Sequence, residues 1–284
     1  MTSPILPFPQ IRVQRAVQRW RAAPFYSASA VVHAASLGAV LLHPQAWPWA
    51  LATVVGNHAL LAAAGLVPRS QLLGPNITRL PTAAAARGEI AITFDDGPDP
   101  EVTPRVLDCL DNAGVKASFF VVGERVRRYP HLVRDIHRRG HSVENHTMVH
   151  SLRFSMYGSD RIYSELAATQ SIIAEACGSR PRYFRAPCGL RGPLLDRVLS
   201  RLDLRLVSWT RRGLDTVART PEPVLARLVH RATGGDILLL HDGIAVLEKR
   251  NHHVLTVLPR LIDACTTRGL RPVTLRAACD AEIA

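Results

Sequence analysis

Two adjacent carboxylates, Asp95 and Asp96, stand at the exit of a short apolar run, Glu89-Ile90-Ala91-Ile92-Thr93-Phe94, and Gly97 follows them. Like charges this close raise one pKa, and burial raises both. A metal ion relieves the conflict by holding one carboxylate ionised as a ligand and leaving the other to act as a base. Downstream, His146-Thr147-Met148-Val149-His150 offers two imidazoles four residues apart. That spacing puts both on one face of a helix. An aspartate, two histidines and water form a normal catalytic zinc set with one open position. The histidine pair alone is a weak signal, because the chain has 12 histidines and His137 and His141 share the spacing.

Three more places carry candidate groups. Arg185 follows Tyr183-Phe184 and precedes Ala186-Pro187-Cys188-Gly189. Its guanidinium could fix a carboxylate by bidentate hydrogen bonding, and backbone N–H groups of the loop could face an oxyanion. His241 emerges from Ile237-Leu238-Leu239-Leu240, well placed for a general acid. Trp209 and Asp215 follow another candidate strand. Asp215 could pair with Arg185 or raise the pKa of His241, and Trp209 could equally be core. Each piece has a plainer reading in isolation: a solvated turn, a surface arginine, a histidine capping a strand.

The elements that must position these groups alternate. Candidate strands are Ile90 to Phe94, Ala117 to Val122, His141 to Glu144, Tyr183 to Ala186, Leu204 to Ser208, Ile237 to Leu240 and Leu270 to Leu275. Candidate helices lie between them: one opened by Thr103-Pro104 and ended at Gly114, one from about Glu124 to Arg139, then about Arg161 to Cys177, Pro193 to Leu202, Pro223 to Ala232 and His252 to Arg268. Such alternation predicts an α/β fold with a parallel sheet, closed or partly closed into a barrel, with functional residues at the C-terminal strand ends.

Taken together, the motifs resemble the polysaccharide deacetylase family, also called the NodB-homology or carbohydrate esterase family 4 domain. The resemblance runs from about Glu89 to Leu275. Thr93-Phe94-Asp95-Asp96-Gly97 is similar to the first family motif, and His146-Thr147-Met148-Val149-His150 to the His-[Ser/Thr]-x-x-His motif. Arg185-Ala186-Pro187-Cys188-Gly189 resembles Arg-x-Pro-[aromatic]-Gly, and Leu239-Leu240-His241 the final Leu-x-His. The resemblance implies a distorted (β/α) barrel and hydrolysis of an N-acetyl group on an amino sugar. It also implies roles: Asp95 as base, Asp96, His146 and His150 as metal ligands, His241 as acid, Arg185 as the partner of Asp95, Leu239 in an acetate pocket, and the Cys188 N–H at the oxyanion. The metal expected is Zn2+, with Co2+, Mn2+ or Ni2+ as alternatives. Two departures stand out. Cys188 occupies a position that is usually aromatic, and Trp209 with Asp215 only loosely meets an Asp-x-x-Asp-Trp motif. The rival reading is a catalytically inactive, membrane-anchored carbohydrate-binding relative, which the full acid, base and metal set argues against.

No Asp, Glu, Lys or Arg occurs from Ala22 to Pro68. The run reads as two apolar stretches, about Ser27 to Leu42 and Ala46 to Leu66, broken at His43-Pro44-Gln45. A membrane span needs about 20 apolar residues, so a helical hairpin is expected over 22–68. A basic, amphipathic segment over 1–21 with Arg12, Arg15, Arg19 and Arg21 precedes it, and a linker over 69–88 leads to a deacetylase domain over 89–284. Positive charge on both flanks places both ends of the hairpin in the cytoplasm at the cell inner membrane. From that side the reachable substrate is a lipid-linked sugar, whereas a single span would expose the domain to acetylated wall glycan. The net charge of +12 comes from arginine, with Lys116 and Lys249 the only lysines. No basic stripe interleaved with aromatics accompanies it, so no nucleic-acid partner is expected. Five cysteines without CxxC spacing argue against a disulfide framework.

Overall fold

The computed structural model describes residues 20–243 and 253–280, so most of the expected basic segment over 1–21 lies outside the described residues. Two long helices come first, α1 (Pro24–Leu42) and α2 (Trp47–Leu66), joined by a single 3₁₀ turn, Pro44–Ala46. They pack against each other as a hairpin, with Asn57 Nδ2 donating to Ser29 Oγ at 2.7 Å and His33 Nε2 lying 3.2 Å from His58 Nε2. Their outer faces expose Val31, Leu37, Leu41, Leu51, Val55 and Leu60 to the surroundings.

The rest is an eight-stranded, wholly parallel sheet: β1 (Glu89–Asp95), β2 (Ser118–Val121), β3 (Ser142–Asn145), β4 (Tyr183–Phe184), β5 (Arg205–Leu206), β6 (Arg211–Arg212), β7 (Ile237–His241) and β8 (Arg271–Pro272). The spatial order is β5-β4-β3-β2-β1-β7-β6, with β8 beside the start of β1. The connecting helices are α3 (Thr82–Ala86), α4 (Thr103–Asn112), α5 (Gly123–Arg128), α6 (Pro130–Arg138), α7 (Ser159–Cys177), α8 (Leu195–Arg201), α9 (Pro221–Val229), α10 (His253–Thr266) and α11 (Leu275–Asp280). The expected helix from Glu124 to Arg139 is therefore two, broken at Tyr129, because the residue before a proline is pushed out of the helical region.

Strand parity decides what each face holds. Ile90, Ile92 and Phe94 of β1 and Leu238 and Leu240 of β7 pack with α4, α6 and α10 in the larger core. Their alternates, Ala91 of β1 and Ile237 and Leu239 of β7, face the inside of the curled sheet with Phe120, Tyr183 and Val207. One end of that interior is filled by Leu275, Ala278 and Cys279 of α11 and Ala84 of α3. The other end holds polar side chains. With a period of two, Asp95 follows Ala91 and Thr93 inward, and His241 follows Leu239. Asp95 and His241 are register partners on adjacent strands.

The segment 69–88, expected as a linker, is packed onto this domain. Ile77 bridges Val207 in parallel, Leu73, Leu80 and Ala84 are buried, and Arg79 pairs with buried Asp236 at 2.8 Å. Its Gly-Pro and alanine-rich composition marks turns and a one-turn helix but says nothing of tertiary contact.

Candidate active site

Asp95, Asp96, His146, His150, Cys188, Trp209, Leu239 and His241 line one cavity of about 240 Å³ at the C-terminal ends of the strands. The polar groups are held there by backbone elements in phase: the inward parity that places Asp95 and His241 also aims Arg185, beyond β4, and His146, beyond β3. A larger, open hollow of about 730 Å³ between α4 and α10 is lined by Arg105, Asp108 and Asp263 and contains none of these groups.

Arg185 is buried and carries four hydrogen bonds: to Asp95 Oδ1 at 2.6 Å, Thr93 Oγ1 at 2.9 Å, and the carbonyls of Ser208 and Val207 at 3.1 and 3.4 Å. Its plane also lies 4.0 Å from the centre of the Phe120 ring. The expected bidentate grip is thus single-pronged, because the other guanidinium nitrogens satisfy backbone carbonyls. Asp95 Oδ2 is turned the other way, 3.8 Å from His146 Nε2.

Asp96 Oδ1 lies 3.3 Å from His146 Nε2 and 3.2 Å from His150 Nε2. All three residues are buried, and one ligand atom from each lies within 4.8 Å of the others. The histidines do not share a helical face as their spacing suggested. Thr147 and His150 have positive φ angles of 66° and 49°, so the segment is a tight loop. Asn145 Oδ1 accepts from the Thr147 N–H at 3.0 Å, and Thr147 Oγ1 accepts from the His150 N–H at 3.0 Å, which fixes that loop. His146 Nδ1 donates to the Arg185 carbonyl at 2.8 Å, which leaves Nε2 available to coordinate a metal. One aspartate and two imidazoles, buried and convergent, suit a divalent transition metal.

The electrostatics divide the groups. Burial pushes the Asp96 carboxyl up, but the hydrogen bond with His146 and the charges of His241 and His150 hold it well below the usual carboxylate range. Burial, then the neighbouring His146, push His150 down to about 4, so it is neutral and available as a ligand. Burial opposes charge on His146, but Asp95 and Asp96 outweigh it and raise that imidazole. Burial also opposes charge on His241, and Asp215 more than reverses this, lifting His241 to about 9. Asp215 Oδ1 is 2.9 Å from His241 Nδ1, and Asp215 Oδ2 accepts the His241 N–H at 2.8 Å. Of the two partners open to Asp215, the structure selects His241.

The profile of the family described as Polysaccharide deacetylase matches residues 83–207. The chain is 33% identical over 188 residues to a peptidoglycan-N-acetylglucosamine deacetylase of Bacillus cereus, covering 66% of this chain and 85% of that protein. The chain belongs to the polysaccharide deacetylase family. It is also 35% identical over 158 residues to a chitooligosaccharide deacetylase of Azorhizobium caulinodans, covering 55% of this chain and 75% of the relative. The solved Bc1960 peptidoglycan N-acetylglucosamine deacetylase superposes on this family member with a TM-score of 0.67 at 26% identity, over 72% of this chain and 92% of that one. A family 4 carbohydrate esterase from Streptomyces lividans, solved with acetate, gives 0.60 at 29% identity, over 65% and 91%.

Sequence reasoning missed several residues of the cavity. Arg212 of β6 lines the cavity, as do Leu152, Thr216 and Val217 from loops. Thr93 bridges Arg185 and the Leu238 carbonyl; it stood inside the first motif, and its polarity in an apolar strand was the available signal.

Proposed function

We propose that this deacetylase is a membrane-anchored, metal-dependent hydrolase that removes the N-acetyl group from an amino sugar in a glycan or a lipid-linked sugar. One observation carries the reading: the adjacent carboxylates are separated into two environments, Asp95 against Arg185 and Asp96 against His146 and His150.

Asp96, His146 and His150 would hold the metal, with Zn2+ first and Co2+, Mn2+ or Ni2+ as alternatives. The metal, when bound, supplies polarisation of the acyl oxygen and a lowered pKa for its water. Arg185 fixes Asp95 through Oδ1, which leaves Oδ2 to take a proton from the attacking water. The Cys188 N–H, at the cavity wall, donates to the developing oxyanion. His241 gives the leaving amine its proton while Asp215 orients the ring through Nδ1. Leu239 and Trp209 shape the acetyl end. No acyl-enzyme is required, since water is the nucleophile.

The hairpin supports the anchor. Its two helices, Pro24–Leu42 and Pro44–Leu66, have mean hydropathies of 1.6 and 1.4, and nineteen helical residues reach about 29 Å at 1.5 Å each, close to the bilayer core of about 30 Å. Basic flanks support an inner-membrane location with the catalytic domain, residues 89–284, facing the cytoplasm. The test is acetate release from an N-acetylated chitooligosaccharide by the metal-loaded chain. Asp95→Asn should lower kcat by about 10²–10⁴ with metal content unchanged; wild-type turnover in that variant sinks the base assignment.

A further inference from the structure

The hairpin is joined to the rim of the cavity. Gly65, at the end of α2, accepts the Arg191 N–H on its carbonyl at 3.2 Å, and a Cβ on Gly65 would lie 2.4 Å from the Arg191 carbonyl oxygen. Pro68 is packed against Gly189, where an added Cβ would stand 2.7 Å from it and 2.6 Å from the Trp209 ring. Gly189 and Trp209 both line the cavity. The buried Arg191 guanidinium donates to the Ser70 carbonyl at 2.6 Å, and Arg69 reaches the Thr210 carbonyl at 3.4 Å. The start of the hairpin lands on the same side: Trp20 Nε1 donates to Asp196 at 2.7 Å, and Tyr26 donates to the Leu73 carbonyl at 3.3 Å. The end of the hairpin therefore stands beside the motif loop that carries Cys188, and its start beside α8.

The surface around those feet mixes apolar side chains with arginines: exposed Arg69 follows Val67-Pro68, exposed Arg153 lies between Leu152 and Met156, and Arg212 lines the cavity. Leu66 and Val67 are exposed where α2 ends. Gly192 packs against the Ser155 carbonyl, which brings the loop of Leu152 and Met156 alongside. Leu152 (56% exposed) and Val217 (63%) line the cavity mouth, and Met156 is 82% exposed. Exposed apolar side chains interleaved with arginines, beside the end of a membrane-length hairpin, have the composition that suits contact with an anionic bilayer surface. The cavity is also short: about 240 Å³, against about 300–1,000 Å³ for an ordinary ligand cleft. Trp209 is the only Phe, Tyr or Trp lining it among the described residues, and Cys188 stands where a ring could stack on a second sugar.

We propose that the cavity mouth sits in the membrane–water interface, and that the substrate is an amphiphile: an N-acetylated amino sugar presented at the bilayer surface by a covalently attached lipid. This rests on the deacetylase and anchor readings above and narrows them. The apolar side chains of the rim take the proximal part of the lipid, and the cavity takes one sugar.

The test uses the full chain, metal-loaded, in phosphatidylethanolamine–phosphatidylglycerol vesicles. Acetate release is compared for N-acetylglucosamine on a polyprenyl diphosphate in those vesicles and for a soluble N-acetylglucosamine tetramer. The expected result is a kcat/KM at least tenfold higher for the lipid-borne sugar, and a tenfold fall in that preference with Met156→Asp. Equal or better turnover of the soluble tetramer overturns the proposal, as does a preference untouched by Met156→Asp. Acetate from neither substrate overturns the deacetylase reading itself. A readout independent of turnover is a bimane on Met156→Cys in a Cys188→Ser background. Quenching by doxyl-labelled lipid is expected; its absence refutes the membrane-facing mouth even if the enzyme is active.

Discussion

Two of the buried carboxylates that pair with arginine in the curled sheet, Glu144 and Asp95, are built differently. At the end filled by α11, Glu144 is saturated. Oε1 takes Arg276 Nε at 2.6 Å, and Oε2 takes the N–H groups of Arg182 and Tyr183 at 2.9 and 3.0 Å. At the open end, Asp95 has one oxygen engaged by Arg185 and the other turned toward the cavity. Both arginines are tied to backbone carbonyls. The difference teaches how to tell a structural acid from a candidate base in the same fold: the structural acid has no oxygen to spare.

Breaking the pairs should separate the two roles. The largest combined effect is expected for Arg185→Ala, which strands Asp95 and opens a gap beneath the site. Activity should fall by at least about 10² as the base loses its orientation, and stability by about 3–5 kcal/mol, the cost of breaking a buried pair. Turnover measured beside a denaturant titration reads both. Glu144→Ala should cost a similar 3–5 kcal/mol yet leave the kcat of the folded fraction within about twofold, since Glu144 lies at the filled end. A kcat lost in step with Arg185→Ala would erase the distinction.

Asp215→Asn tests a third carboxylate, one saturated by a catalytic candidate. His241 has its pKa raised, so the stability this protonation adds is complete below the ordinary imidazole value of about 6.5 and is lost as pH rises through about 9. If His241 is the acid, activity should decline over the same upper range. Asp215→Asn should move that alkaline limb toward the ordinary value, readable in a pH profile of kcat; an unmoved limb means that another group titrates there. The smallest effect is expected at Cys188→Ala. Only its backbone N–H is assigned a task, so kcat should change less than about threefold, and a larger loss in single-turnover assays would give the thiol a role.

The convergence of the candidate groups was legible in the sequence because strand ends and parity are local properties. Asp95 and His241 each terminate an apolar run, and the period of two sends both inward. The order of the motifs then separated them from chance pairs such as His137 and His141, of which buried His141 accepts the Ala117 N–H at 3.1 Å in the core. What was not legible is tertiary. The His146–His150 spacing mimics a helix, but Asn145 and Thr147 bend it into a loop. The cavity walls at Leu152 and Val217 come from loops whose positions depend on packing far away in the chain. Residues 69–88 have the composition of a tether and the contacts of a clasp.

That clasp has a kinetic meaning. A free coil of twenty residues would wander about 25 Å, letting the catalytic end search a volume. With Arg191 bound at the Ser70 carbonyl and Ile77 in register with Val207, there is no slack, and the catalytic end keeps one height above the hairpin. With the hairpin in a bilayer, as proposed above, its encounters would be counted per unit area, and its rate would follow the surface density of substrate and lateral diffusion rather than bulk concentration.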